Sequence, residues 1–185
     1  PNIAINLYLG AGHLSAYQSF RTAVSSRRPH GEFKFLTRDE SLVDLLVAPF
    51  RFDFLLRPTT LAILIGQAAF NFVFFPALYG ATANWSSVRK NDWKELAALP
   101  YVASITEEAF HRGVVMPITM ELTGSKIASI AVSSLTFGLV HLGNPENPVP
   151  WQQTIAGVYF GLVTQKRDWT LAESIFIHAW SDVII

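Results

Sequence analysis

Long apolar stretches separated by short polar linkers occupy the chain after residue 57. The first, residues 58–88, contains no Asp, Glu, Lys or Arg. Its densest part, 61–78, is long enough to cross the hydrocarbon core of a bilayer, which takes about 20 apolar residues. Four more stretches cover about residues 96–120, 127–143, 150–165 and 170–185. Because lipid offers no hydrogen-bond partners to the backbone, we predict an all-α fold, a multi-pass transmembrane helical bundle.

A soluble helical bundle with an unusually apolar core is the alternative that this pattern leaves open. Two of the stretches contain only about 16 residues, which is short for a full membrane span. Against this alternative, so many apolar stretches in a chain of 185 residues leave little polar surface to face water.

Local signals at the ends of the stretches agree with helix boundaries. Thr170 followed by Glu173 is typical of a capping box that opens the last helix. Gly124, followed by a serine, marks the turn before the third apolar stretch.

Small and amide side chains within the stretches predict contacts between helices. Gly157 and Gly161 form a GxxxG pattern, which we interpret as a close-packing face. Gln67 and Asn71 lie one turn apart in the first stretch, and we interpret them as formers of interhelical hydrogen bonds.

Residues 1–57 differ from the rest and are predicted to form a separate N-terminal segment, with 58–185 as the transmembrane helical domain. They hold seven of the fourteen basic residues, and a mixed apolar and charged helical stretch over about 37–56 is broken at Pro49. This partly amphipathic character suits a cytoplasmic or membrane-apposed location. Because the chain stops inside an apolar run, we expect it to be a piece of a longer protein.

Charge is scarce and balanced along the chain. Charged residues make up 15% of it, against about 25% in a typical soluble domain, and fourteen basic side chains balance fourteen acidic ones. Zero net charge excludes the strongly basic character of a nucleic-acid-binding protein, so no nucleic-acid partner is expected. The absence of Cys excludes a disulfide scaffold, a thiolate zinc site and a Cys nucleophile.

Ionisable side chains inside the apolar stretches are the candidate functional groups, because a charge in mid-membrane costs about 2.5–3.5 kcal/mol on insertion scales. Glu108 and Arg112, four residues apart, share a helix face and are predicted to form an ion pair. Glu107 lies about 100° away, on the face of His111. Its otherwise unpaired carboxylate is a candidate general base.

Two further clusters lie in the third and fifth stretches. His141 follows Ser134 and Gly138 on one face, where small side chains allow another helix to approach. His178 and Asp182 are one turn apart in the last stretch. Sheltering all these groups from lipid is easiest around one cavity, so we predict a central polar active-site cavity. Its predicted members are Glu107, His111, His141, His178 and Asp182.

Three motifs occur in order on successive apolar helices, and together they are more specific than any one alone. They are Glu-Glu-x-x-x-Arg at 107–112, Phe-x-x-x-His at 137–141 and His-x-x-x-Asp at 178–182. Over about residues 95–185 the chain thereby resembles the CPBP family, the CAAX-prenyl-protease and bacteriocin-processing (Abi) intramembrane proteins. The resemblance implies a glutamate-dependent intramembrane endopeptidase without a cofactor, in the bacterial inner membrane or an equivalent internal membrane.

The resemblance also implies a role for each motif residue. Glu107 would be the catalytic base and would share the attacking water with His141, while His178 and Asp182 would form the oxyanion site. The supporting residues would be Glu108, Arg112 and Phe137. An ionised Asp182 repels an oxyanion, so either it is protonated or it orients His178, which alone donates.

The residues leave other functions open. Glu107, His141 and His178 form a donor set that suits zinc, with Asp182 as a substitute, so a zinc-dependent intramembrane metalloprotease is the alternative enzyme. No HExxH-type pair is present, however. A membrane scaffold or immunity protein would keep the same cluster for packing, and a proton-coupled transporter ranks lower because no inverted repeat is visible. The partners expected are membrane lipid and a protein or peptide substrate, with prenylated proteins as one class.

Overall fold

The computed structural model describes residues 3–25, 40–74, 93–142 and 150–184, and these ranges are almost entirely helical. Within them lie eight α-helices and no strand. The helices are α1 (Ile3–Ser25), α2 (Leu42–Val47), α3 (Pro58–Ala69), α4 (Trp93–Phe110), α5 (Met116–Thr123), α6 (Lys126–Leu139), α7 (Trp151–Lys166) and α8 (Ala172–Ile184). The 3-10 and π-helical turns are Ala48–Phe50, Phe52–Leu56, Phe70–Phe74 and His111–Val115.

The all-α prediction is confirmed for the described residues. Helices α3, α4, α6, α7 and α8 begin close to the starts of the five predicted apolar stretches. In the part of the chain that the structure describes, no helix is both long enough and apolar enough to cross a membrane.

The π-helical turn over residues 111–115 joins α4 to α5 without a break in the helical path. Pro117, near the start of α5, has no N–H and cannot donate to the Gly113 carbonyl four residues earlier. The N–H of Met116 donates to the carbonyl of His111, five residues before it, which is the π-helical pattern. The extra residue in this turn rotates the side chains that follow it relative to an unbroken α-helix.

The turn between α5 and α6 forms as predicted. Gly124 adopts a left-handed backbone with φ of 63°, and its N–H donates to the Met120 carbonyl at 2.8 Å. Ser125 then caps α6, because its hydroxyl oxygen accepts a hydrogen bond from the N–H of Ala128 at 3.2 Å.

The capping box predicted for the start of α8 is wrong. The Thr170 hydroxyl donates to the Arg167 carbonyl at 2.9 Å, and the Glu173 carboxylate turns toward α3, where the Thr60 hydroxyl donates to it at 2.6 Å. The carboxylate of Glu40 caps α8 instead and accepts from two backbone N–H groups at its start, at 2.6 and 3.0 Å. Because Glu40 lies far from α8 along the chain, no pattern of residues near the start of α8 predicts this cap.

Residues 40–57 lie along one side of α8. Helix α2 gives way to a 3-10 turn over Ala48–Phe50, so the predicted break at Pro49 is confirmed. The predicted start of this helical stretch, at residue 37, lies outside the described residues. The indole N–H of Trp180 donates to the Pro49 carbonyl at 2.9 Å, which joins this segment to α8.

The contact between α6 and α7 confirms the predicted packing role of the two glycines. A Cβ atom on Gly157 would lie 3.0 Å from the Cα of Ser134, and Gly161 faces α6 in the same way. On the facing helix, a Cβ atom on Gly138 would lie 1.9 Å from the Thr154 hydroxyl oxygen. The small residues predicted on one face of α6 therefore bring α7 into close contact.

Helix α8 is enclosed by the elements around it. Every side chain from Leu171 to Ala179 is buried, and α8 contacts α3, α4 and α7. Helix α1 packs on the outside of α4, with Tyr17 fully buried. Functional side chains on α8 are therefore held by packing on several sides.

Candidate functional site

A cavity of about 680 Å³ lies between α3, α4, α7 and α8, at the end of α6. Glu107 reaches it from α4, His141 from the residues after α6, and His178 and Asp182 from α8. Four of the five predicted cavity members are therefore brought together. The other lining residues are Thr59, Ala62, Ile63, Gly66, Gln67, Phe70, Ala103, Phe137, Gln152, Gln153, Ile155, Ala156, Tyr159, Phe160 and Ser181.

The predicted ion pair beside the cavity is present and completely buried. Nη1 of Arg112 lies 2.8 Å from Oε1 of Glu108, and neither side chain has any solvent exposure. Nη2 of Arg112 donates to the Gly157 carbonyl at 2.9 Å, and the guanidinium lies 4.6 Å from the Phe137 ring centroid. Because buried charges must be paired and hydrogen-bonded, these contacts tie α4 to α7.

His178 lies among three carboxylates. Its Nδ1 is 3.1 Å from Oε1 of Glu108, and Nδ1 is the donor because an ionised carboxylate only accepts. Its Nε2 lies 3.5 Å from Oδ2 of Asp182 and 3.8 Å from Oε2 of Glu107. The ring stacks on Phe160 with centroids 4.8 Å apart. Glu108 and Phe160 together fix the ring so that Nε2 faces the other two carboxylates.

His141 is oriented by its own helix. Its Nδ1 lies 2.8 Å from the Phe137 carbonyl, and this contact requires a proton on Nδ1 because a carbonyl only accepts. The other ring nitrogen, Nε2, is left for the cavity that His141 lines. In the neutral ring Nε2 carries the lone pair, so it can accept a proton or bind a water molecule.

The prediction that His111 lies with Glu107 around the cavity is wrong. His111 has no solvent exposure, and its Nδ1 lies 3.2 Å from the Thr136 hydroxyl oxygen on α6. Its backbone carbonyl accepts a hydrogen bond from the Ser133 hydroxyl at 2.9 Å. The prediction rested on helical spacing alone, whereas Phe137, which lines the cavity, packs edge-on against the His111 ring with centroids 5.3 Å apart, and Thr136 contacts the same ring from α6.

Gln67 is a cavity residue that the sequence did not assign to the site. Its side-chain oxygen accepts a hydrogen bond from the Ser181 hydroxyl on α8, which confirms the predicted interhelical hydrogen bond. It also lines the cavity beside Asp182. An amide within an apolar stretch was the available signal, but only tertiary packing shows which cavity it faces. The side chain of Asn71 lies outside the described residues.

The zinc alternative requires at least three ligating side chains around one point. Within the described ranges, no three His, Cys, Asp or Glu side chains are arranged to hold a metal ion. Glu107, His141 and His178 share the cavity without forming such a group.

Comparison with known proteins gives one match. No curated protein and no solved structure matches the chain. A protein-family model described as "Type II CAAX prenyl endopeptidase Rce1-like" matches residues 89–184, which is more than half of the chain and includes all three motifs. This family consists of membrane-associated peptidases of the CAAX-protease type, which are hydrolases. The chain therefore belongs to the Rce1-like family of type II CAAX prenyl endopeptidases.

Proposed function

We propose that the chain is an intramembrane endopeptidase that hydrolyses a peptide bond of a membrane-associated protein with a water molecule activated by Glu107 and His141. The observation that carries the proposal is the convergence of two histidines and two carboxylates on one cavity, from α4, α8 and the end of α6. A base, an oxyanion stabiliser and a proton donor are what peptide hydrolysis needs, and this set contains candidates for all three.

Glu107 is the proposed general base. It is the carboxylate of the Glu-Glu pair that Arg112 does not bind, and 22% of its side chain is exposed where it lines the cavity. His141 offers its Nε2 as a second contact for the same water, since Nδ1 is held by the Phe137 carbonyl. General-base assistance of this kind contributes about 10²–10⁴-fold in rate.

His178 is the proposed oxyanion stabiliser. Its Nδ1 is engaged by Glu108, and its Nε2 is separated from Asp182 and Glu107 by distances longer than a hydrogen bond. We propose the imidazolium form for this ring, which three carboxylates surround; both ring nitrogens then carry a proton, and Nε2 can donate to a substrate carbonyl oxygen. Asp182 lies one turn away on α8 and orients the ring through Oδ2, which is 3.5 Å from Nε2.

The proposed reaction forms a C–O bond, breaks the C–N bond and moves a proton from water to the leaving amine. Glu107 takes a proton from water while the water oxygen bonds to the carbonyl carbon, and the π electrons move onto the carbonyl oxygen. That oxygen accepts a hydrogen bond from His178. The tetrahedral intermediate then collapses, the C–N bond breaks, and the leaving amine receives the proton through Glu107 or His141. The products are a new carboxyl group and a new amine.

The outer faces of the helices support a membrane-embedded, multi-pass location. Large apolar side chains on α6 and α7 point away from the bundle and are exposed. They are Ile127, Val132, Leu135, Leu139, Val158 and Leu162. An apolar outer surface marks contact with lipid or with another protein. We propose membrane lipid as the partner, in the bacterial inner membrane or an equivalent internal membrane.

The family description makes a prenylated CAAX-type protein the first substrate class to test. Leader peptides and membrane-protein segments are the other classes that the same chemistry accommodates. A prenylated peptide and its unprenylated counterpart, otherwise identical, separate recognition of the lipid from recognition of the peptide.

Cleavage by the purified protein in detergent or liposomes tests the proposal. The probe is a fluorogenic farnesylated peptide that ends in a CAAX sequence. We expect wild-type cleavage, and losses of at least about a hundredfold for Glu107→Gln and for His141→Ala. The matched control is Glu121→Gln, which makes the same change at an exposed glutamate of α5 and should leave cleavage unchanged.

Two other outcomes would favour a different function for the chain. Loss of cleavage with EDTA or phenanthroline, restored by zinc, would favour the metalloprotease. A folded wild-type protein that cleaves none of the substrate classes, and whose cellular phenotype survives both Glu107→Ala and His141→Ala, would favour a scaffold or immunity protein.

A further inference from the structure

Gln67 is tied into the same wall of the cavity as Asp182. Helix α3 is held against α8 at two levels, because Thr60 donates to Glu173 at 2.6 Å and Ser181 donates to Gln67 two turns further along. Ser181 immediately precedes Asp182, and all of Gln67, Ser181 and Asp182 line the cavity. The Gln67 amide is therefore held beside the carboxylate end of the site.

The contact with Ser181 sets the orientation of the amide. The Ser181 hydroxyl has one proton and two nearby acceptors, the Gln67 side-chain oxygen and the Ile177 carbonyl at 2.6 Å. We assign the proton to the contact with the Gln67 oxygen, which places that oxygen on the Ser181 side of the amide. Nε2 is on the other arm of the planar amide, so it points away from Ser181, and we assign it to the cavity that Gln67 lines.

The proposed oxyanion site needs such a donor. His178 offers one N–H through Nε2, and an ionised Asp182 offers none, because a carboxylate only accepts. A single donor is fewer than the pair that stabilises the oxyanion in many acyl-transfer enzymes. An uncharged amide next to Asp182 supplies a second donor without requiring that Asp182 be protonated.

We infer that Gln67 is a further catalytic residue, whose side-chain amide donates a hydrogen bond to the carbonyl oxygen of the scissile peptide bond as negative charge develops there. This inference rests on the proposed endopeptidase function. The amide forms no covalent bond and exchanges no proton: its N–H···O contact shortens as the oxygen becomes an anion and relaxes when the C–N bond breaks. Gln67 lies outside the family match, which begins at residue 89.

Kinetics with the farnesylated CAAX peptide test this role through two variants of the amide. Gln67→Leu removes both polar atoms, and Gln67→Glu keeps the size and the acceptors but removes the N–H donors. We expect both to lower kcat by about 10²–10³-fold, with a much smaller change in KM, because the lost contact is made in the transition state. Ser181→Ala, which frees the amide to rotate, should give a smaller loss in kcat.

Gln165→Leu is the matched control. This glutamine of α7 donates to the Lys126 carbonyl and to the Ser129 hydroxyl, outside the cavity, and the variant should retain wild-type kcat. Thermal unfolding in detergent shows whether each variant is folded. If Gln67→Leu loses its fold, the kcat of Gln67→Glu alone decides whether the amide is a donor, because that variant preserves the volume of the side chain.

The outcomes separate the two proposals. An active wild type with an active, folded Gln67→Glu variant would overturn the donor role and leave the endopeptidase function standing. A wild type that cleaves none of the substrate classes would overturn the endopeptidase function, and the role of Gln67 with it. An active wild type whose two Gln67 variants both lose kcat would support both.

Discussion

Nδ1 of His178 lies 3.1 Å from Oε1 of Glu108, the same oxygen that Arg112 contacts at 2.8 Å. One buried carboxylate oxygen thus accepts from the π-helical turn that follows α4 and from α8. The contact selects the ring nitrogen of His178 that faces the cavity. The second glutamate of the motif therefore has a structural role distinct from that of Glu107, which lines the cavity itself.

Removal of the Glu108 carboxylate should be strongly destabilising. Glu108→Ala leaves the Arg112 guanidinium buried without its partner, which costs about 3–5 kcal/mol in the free energy of unfolding. Denaturant unfolding in detergent measures this loss. The double change Glu108→Leu with Arg112→Met removes both charges and should cost less than Glu108→Ala alone. A double variant less stable than Glu108→Ala would contradict this account, and Glu121→Ala at an exposed position should change stability by about 0.5 kcal/mol or less.

A methyl group at Gly157 should disturb the contact between α6 and α7. The added Cβ would lie 3.0 Å from a backbone atom of Ser134 and 3.1 Å from Nη2 of Arg112, and neither can withdraw easily. We expect Gly157→Ala to lower the free energy of unfolding by about 1–3 kcal/mol. Gly12→Ala is the control: nothing lies within 4 Å of the added Cβ on α1, so it should be neutral or slightly stabilising. Equal effects of the two changes would contradict the close-packing explanation.

Replacement of Asp182 by Asn should preserve cleavage of the farnesylated peptide. Oδ2 of Asp182 lies 3.5 Å from Nε2 of His178, and an Asn side chain keeps an oxygen there while adding a donor. Asp182→Leu keeps a similar volume without a polar atom, so His178 loses its orienting partner and kcat should fall about a hundredfold. Measurement of kcat for both variants checks this. An inactive, folded Asp182→Asn protein would mean that the charge itself is required.

Stability should depend on the ionisation of Glu40, which caps α8 from outside the apolar stretches. Burial raises the pKa of Glu40 above its ordinary value of 4.5, and the two backbone N–H groups only partly offset this. The folded state then binds the proton more tightly than the unfolded state. The contribution of this tighter proton binding to the free energy of unfolding is complete below about pH 4.5. It is lost as the pH rises through the raised pKa of Glu40.

The pH dependence of the thermal unfolding midpoint measures this effect. We expect the unfolding midpoint of the wild type to fall as the pH rises from about 4.5 through the raised pKa of Glu40. The Glu40→Gln variant should not show this fall, although it keeps an oxygen that can cap α8. Glu40→Ala removes the cap as well and should lose about 1 kcal/mol. An unchanged pH dependence in Glu40→Gln would show that another group titrates.

Much of the fold could be predicted from the sequence, because it depends on residues that lie close together along the chain. The Glu108–Arg112 pair follows from i, i+4 spacing, and the Gly124 turn follows from one residue with a left-handed backbone. The same local rules failed at His111, because spacing along one helix does not show that residues of α6 cover its side chain. They also failed at the start of α8, because Glu40 lies far away in sequence.

The sequence by itself determined the helical character of the chain, the apolar faces, and the three motifs that hold its buried ionisable groups. Helical periodicity and the cost of burying charge act on residues a few positions apart, so a linear pattern records them. The tertiary structure alone decided that Glu107, His141, His178 and Asp182 share a cavity while His111 does not, and that Gln67 belongs beside them. Those relationships depend on how separate helices cross and on their register, and spacing along one helix contains no information about the next.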